Sequence, residues 1–440
     1  MSAPVIGYPS KIDYSQFDST NPDPATKYGL PKDVKFCKKC TLSNQRPIGV
    51  SEFKNLATSK KQGVDFSEKG VCSPCLIAEQ KANEISWNDR ELELKELCDR
   101  FRSKDGSYDC IVPGSGGKDS FYAAHILKYK YHMHPLTVTW APHIYTEWGW
   151  HNFRSWLNAG FSNVLYTPNP RVHRLLTRLA LDKLLHPFQP FALGQRCFPS
   201  KVAAELGIPL VFYGEHESEY NSPISEVTTA QRDFRYFVAD DFSQIYLSGV
   251  SVDQLLNDFG LTQGDLSIYF PIKLEEMNTK KIEVHHLGYY LRWHPQGCFY
   301  YAVENGGFKP SPERTPGTYS KYSSIDDRID DYHFYTTYIK FGIGRATYDA
   351  AQEIRNGDIN REEGVALVKK FDGEWPERFM DEIFRYLSIT LEEYPIASTM
   401  FEQPIMDKEY FMRLCDNFRS PHLWKREDGE WRLRHSVFNG

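Results

Sequence analysis

The sequence predicts an α/β protein built on a doubly wound parallel sheet, with a four-cysteine module before it and a mainly helical region after it. Three observations carry this expectation. Between Tyr108 and Tyr213, short apolar runs alternate with helix-length amphipathic stretches. Two CxxC pairs precede that alternation. Beyond about residue 225 the rhythm gives way to aromatic-rich helical spacing. The divisions read from these patterns are an extended arm over 1–25, a cysteine module over 26–85, the α/β domain over 86–225 and a helical substrate or partner region over 226–440.

Composition fits that division. A chain of 440 residues exceeds what one hydrophobic core usually organises. No run of about 18 apolar residues and no charged-then-apolar leader is present, so no membrane span and a cytoplasmic location are expected. Nine cysteines, four of them in CxxC pairs, suit metal binding in a reducing compartment better than a disulfide framework. The net charge of −6 argues against nucleic acid as the main partner. Residues 26–75 are the exception, with ten Lys/Arg against four Asp/Glu.

Taken in order, residues 1–25 read as an arm, either free or strapped over another subunit, which leaves a homo-oligomer open. Cys37, Cys40, Cys72 and Cys75 then supply four thiolates, the tetrahedral set of structural zinc, with iron–sulfur as the chemical rival. Such a closed set leaves no position for catalysis. Ser86 caps a helix through Trp87–Arg102, in which Leu94, Leu97, Cys98 and Phe101 share one face.

Cys110, Ile111 and Val112 read as a buried first strand feeding the turn Gly114-Ser-Gly-Gly117, and a helix begins at Lys118. A glycine-rich turn at a helix N-terminus offers free N–H groups and the positive end of a dipole, which suits phosphate. The kinase and GTPase P-loop does not fit, because its first glycine would fall on Val112 and Lys118 is followed by Asp119. Further strands are expected at Leu136–Trp140, Asn163–Tyr166 and Pro209–Tyr213, with helices over 152–159, 171–185 and 199–206. Ligands of such sheets lie at the carboxyl ends of the strands. The loops expected to meet there are the glycine turn, the segment after Trp140 with His143 and Glu147, and Gly214-Glu215-His216-Glu217.

Gly194-Gln195-Arg196-Cys197 reads as a loop before a helix, with Arg196 toward phosphates and Cys197 as either a nucleophile or a buried thiol. Asp326–Thr337 carries many acids and reads as a solvated helix face. In Lys340-Phe-Gly-Ile-Gly-Arg-Ala346 two glycines bring backbone close between Lys340 and Arg345. That suggests an anion grip on a sugar carboxylate or a diphosphate, or else a close-packed helix junction. Asn360 and Glu363 form a capping box.

Ser115-Gly-Gly-Lys-Asp-Ser120 resembles the SGGKDS signature of the PP-loop ATP pyrophosphatases. With the CxxC pairs, Tyr213-Gly-Glu215, Tyr290-Leu-Arg-Trp293 and Ile339-Lys-Phe-Gly-Ile-Gly-Arg-Ala-Thr347, the chain resembles the bacterial N-acetyl sugar amidotransferases of surface-polysaccharide and flagellin-sugar biosynthesis. The resemblance implies a PP-loop fold and ATP-dependent conversion of an acetamido to an acetamidino group, through adenylation of the amide oxygen and attack by ammonia. Under it, Ser115, Gly116, Gly117 and Ser120 cradle pyrophosphate and Lys118 neutralises charge on the phosphates. Asp119 helps hold Mg²⁺ directly or through water, and Gly214 and Glu215 contact Mg²⁺ or substrate. The stretch between the CxxC pairs is longer than that family's pattern suggests.

Neither a cysteine at position 2 nor a Gly-x-Cys-x-Gly elbow is present, so a glutaminase within the chain is not expected. The resemblance implies a separate glutaminase subunit and a cyclase-like ammonia-channel subunit, with an N-acetylated sugar or nucleotide-sugar as substrate. A tRNA-modifying PP-loop enzyme and a non-catalytic nucleotide-binding scaffold are the alternatives.

Overall fold

The computed structural model describes residues 4–49, 51–215, 229–390 and 402–439. Its centre is a five-stranded sheet of β1 (Cys110–Pro113), β2 (Pro135–Trp140), β3 (Asn163–Tyr166), β4 (Leu210–Tyr213) and an edge strand, Glu283–His286. All pairings are parallel, in the order β3-β2-β1-β4-edge. The first four strands fall where the apolar runs put them. The fifth comes from beyond residue 225, where the alternation had been read as finished. Its His285-His286 is polar in composition yet buried beside β4. The aromatic and basic stretch from His285 to Trp293 allows a strand or a substrate-facing loop, and its first two residues close this strand.

Alternate residues face opposite layers, as the twofold period of a strand requires. Ile111, Val138, Val211 and Val284 pack against α5 (Pro170–Leu184) and α6 (Gln189–Leu206). Cys110, Val112, Leu210 and Phe212 pack on the other face with α2 (Trp87–Phe101) and α3 (Lys118–Tyr129). Every one of those eight strand residues is almost wholly buried. At roughly 25 cal/mol per Å² of apolar area, these two layers are the main stabilising contribution to the α/β unit.

Helix α6 starts ten residues before the expected Pro199, and this corrects the reading of Gly194–Cys197 as a loop. Pro190 sits in the first turn, where its missing N–H costs nothing. Gly194 is interior to the helix because it lies flat on Trp140: a Cβ there would come within 2.1 Å of the indole. The glycine that looked like a helix breaker is a packing contact.

Behind the sheet stand the helices Pro295–Gly306, Asp330–Phe341, Arg345–Asn356, Arg361–Phe371, Met380–Leu387 and Lys408–Phe418, then a hairpin of Trp424–Glu427 and Glu430–Leu433. The described part of the arm straps this same chain. Phe17 is buried against Trp424 and Trp431, and Ile6 N–H donates to Gln403. The Asn360–Glu363 capping box is present in both directions.

Candidate active site

A cavity of about 460 Å³ opens where the strand order reverses, at the carboxyl ends of β1 and β4. Its floor is the glycine turn. Gly116 has φ +84°, and a Cβ there would lie 2.7 Å from the Phe153 backbone, so no side chain fits. Gly117 is the N-cap of α3 and no side chain caps the helix; α2, α4 (Glu147–Asn158) and α5 are capped by Ser86, Thr146 and Asn169. The first N–H groups of α3 therefore stay available to an anion. Lys118 is buried and pairs with Asp119, while the Ser120 hydroxyl donates to the Gly117 carbonyl. Ser115, Gly117, Lys118, Asp119 and Ser120 all line the cavity; Gly116 shapes the turn from behind.

Gly214 and Glu215 line it from β4. Burial, and next the Asp119 carboxylate, push Glu215 up to about 7. The buried Oδ1 of Asp119 has no hydrogen-bond partner among the described residues. Two adjacent carboxylates, one with an orphaned oxygen, are the hard donors a Mg²⁺ ion takes. His216 and Glu217 lie outside the described residues.

The opposite wall comes from residues 322–355. Its backbone is zipped to the segment after β2: Thr146 N–H donates to the Asp326 carbonyl, and Arg328 N–H to that of Ile144. This brings the acid-rich stretch over the cavity. Its reading as a solvated face is corrected, because Asp327, Asp330 and Asp331 are each at most 4% exposed. Asp326 accepts from Ser115 and, with Asp330, lines the cavity; burial raises both carboxyls. The sequence did hold a signal, since paired acids open the helix where its dipole favours them. Arg46, which sequence reasoning also missed, reaches the cavity from between the CxxC pairs and lies over the Tyr348 ring.

The three substrate candidates separate. Arg345 lines the cavity, bonded to Asp349 and the Ser324 hydroxyl and stacked over Phe334. Lys340 is away from the lining and donates to the Leu184 carbonyl at the end of α5. Arg196, inside α6, pairs with Glu52 at 3.8 Å. The anion between the glycines is the protein's own: Asp372 accepts from Gly344 N–H and Thr347 N–H, each at 3.1 Å, and from the Thr347 hydroxyl. A Cβ on Gly344 would sit 2.5 Å from that carboxylate, which explains the second glycine. The close-packed junction is what forms.

Elsewhere, His143 is bonded to buried Asp327 at 2.7 Å, and Glu147 is exposed at the start of α4. Cys197 is fully buried and its thiol is pushed up to about 11, which does not suit a nucleophile.

Cys37, Cys40, Cys72 and Cys75 converge with all four sulfurs within 4.8 Å of one another. The Cys40–Cys72 and Cys37–Cys75 separations are 3.6 and 3.9 Å. A tetrahedral zinc with bonds near 2.3 Å requires about 3.8 Å. Backbone N–H groups of Lys39 and Cys72 point at the Cys37 sulfur, and that of Leu42 at Cys40. The cluster could hold zinc, and its long intervening loop is what carries Arg46 to the cavity.

Comparison with known proteins gives two similarities. An uncharacterized protein of Methanocaldococcus jannaschii is 34% identical over 82 residues, which span 18% of this chain and 29% of that protein. Residues 316–437 match the family model described as "LPS biosynthesis protein WbpG-like, C-terminal domain". That stretch includes Asp326, Asp330, Arg345 and Tyr348 of the cavity wall. The chain thus carries a WbpG-like C-terminal domain, and that domain supplies one wall of the cavity.

Proposed function

We propose that this protein is an ATP-dependent amidotransferase of bacterial surface-glycan biosynthesis (LPS O-antigen, capsule or flagellin sugar) that turns a sugar acetamido group into an acetamidino group. One observation carries the reading: the Ser115–Ser120 turn and the WbpG-like domain line the same cavity. The first is suited to nucleotide phosphates, the second is shared with proteins of LPS biosynthesis.

An amide oxygen is a poor leaving group and ammonia does not displace it. Adenylation makes it part of AMP, and ammonia then attacks the imidate carbon. In this reading the free N–H groups of α3, with Ser115 and Ser120, hold the departing pyrophosphate, and Lys118 offsets its growing charge. Asp119 and Glu215 would hold Mg²⁺, which supplies further charge neutralisation when bound. Arg345 orients the sugar, and the zinc module is architectural. Ammonia comes from a separate glutaminase through a cyclase-like channel subunit.

The test is incubation with ATP, Mg²⁺, ammonium and a panel of free and nucleotide-activated N-acetyl sugars. A product about one mass unit lighter, oxygen having been exchanged for NH, with one AMP per product, is expected. ATP turnover that no N-acetyl sugar stimulates would overturn the reading.

A further inference from the structure

Four carboxylates cluster where the segment after β2 meets the helix Asp330–Phe341, and three have partners. Asp327 accepts from His143 and from the backbone N–H groups of Ile144 and Ile329. Asp331 is clasped by Arg378 through two nitrogens. Asp326 accepts from Ser115. Asp330 is different. It is 4% exposed, it lines the cavity, and its carboxylate makes no hydrogen bond or ion pair with any described residue. Arg345, a cation whose charge acts on Asp330, is committed to Asp349 and Ser324.

A buried carboxylate without a partner is costly, and a fold that only needed packing would place an apolar residue there. Its retention beside a cavity calls for a cationic ligand. The cavity that Asp330 and Asp326 line also carries the small polar side chains of Ser115, Ser323 and Ser324, which suits a compact, hydrogen-bonding cation. We infer that Asp330, assisted by Asp326, forms an ammonium site, and that the same pair receives the amidinium head of the product.

This rests on the proposed reaction. Ammonium gives one proton to the Asp330 carboxylate, and the freed nitrogen lone pair forms the new C–N bond at the imidate carbon. The C–O bond to AMP breaks and its electron pair leaves on the phosphate oxygen. One proton of the attacking nitrogen passes to the sugar-side nitrogen, giving the amidinium. Asp330 then releases its proton to water and faces that cation as a carboxylate.

The test compares the wild-type chain with Asp330→Asn, and with Asp331→Asn, whose carboxylate has a structural partner. Thermal unfolding is measured in ammonium chloride and in acetamidinium chloride, against sodium chloride of equal ionic strength. Both nitrogen cations should raise the wild-type midpoint above the sodium reference, and neither should do so for Asp330→Asn. Equal protection of wild type and Asp330→Asn overturns the site. In the amidation assay Asp330→Asn should raise the KM for ammonium tenfold or more while that for ATP moves less than twofold. An unchanged KM for ammonium also overturns it. Asp331→Asn should unfold at a lower temperature yet keep its response to ammonium. If no N-acetyl sugar supports turnover, the proposed reaction fails, and the unfolding comparison still decides whether the cation site exists.

Discussion

The guanidinium of Arg46 lies over the Tyr348 ring, 4.0 Å from its centroid, and joins the cysteine module to the WbpG-like domain at the cavity wall. The module is anchored there again by the Thr41 hydroxyl, which donates to the Thr347 carbonyl, and by Ala351, which packs among the cysteines. A partly desolvated stack of this kind is worth about 1–2 kcal/mol. Arg46→Ala should therefore raise the KM of a substrate by about tenfold, with zinc content unchanged. Cys72→Ser should lose the metal and this wall together, read by metal analysis and by the unfolding midpoint. Full activity without metal would show that the module does not shape the site.

Lys118→Ala should abolish most AMP formation. A buried cation aimed at charge that develops in the transition state is worth on the order of 100- to 1,000-fold in rate. Metal content and unfolding temperature should stay close to wild type, because the lysine's ion pair is with the adjacent Asp119 and its contact with the distant Tyr322 ring is a long one, 5.9 Å to the centroid. Survival of sugar-dependent AMP release would move the reaction centre elsewhere.

Lys340 offers a pH signature. Burial, with Lys61 adding repulsion, pushes its amine down to about 7. In the unfolded chain it titrates near ~10.4. Between those values the unfolded chain binds a proton that the folded chain does not, so stability falls as pH is lowered from about 10 to about 7. The neutral amine still donates to the Leu184 carbonyl. Lys340→Met should flatten the slope of unfolding free energy against pH in that window and leave the KM for sugar unchanged. A raised sugar KM would restore it to the substrate site.

These contrasts show what the sequence made legible. The glycine turn at the start of α3 and the cysteine cluster were readable because the sequence pattern is local at each CxxC pair and at the strand–turn–helix join. Arg46 and Asp330 were not, since their places depend on a loop and a helix folding back over the sheet from either side. Lys340 and Arg345 looked like a pair because only four residues separate them. Gly342, at φ +66°, ends one helix, and the next departs from Gly344, so the two cations face different surroundings. Arg196 was misplaced for the opposite reason, a glycine taken as a stop inside a continuous helix.

The same junction gives a stability prediction. The helix Arg345–Asn356 has no capping side chain at its own N-cap, and Asp372 serves instead from 28 residues away. Asp372→Ala removes that cap and strands two N–H groups, for a loss of about 2–3 kcal/mol. Asp372→Asn keeps one acceptor oxygen and should lose about half as much. Because this helix brings Arg345, Tyr348 and Asp349 to the cavity, the alanine variant should also show weaker sugar saturation. The vacated N-terminus is an anion site in its own right, so millimolar phosphate should raise the Asp372→Ala midpoint and leave the wild-type midpoint where it is. Equal phosphate responses would mean that Asp372 does not occupy the helix end.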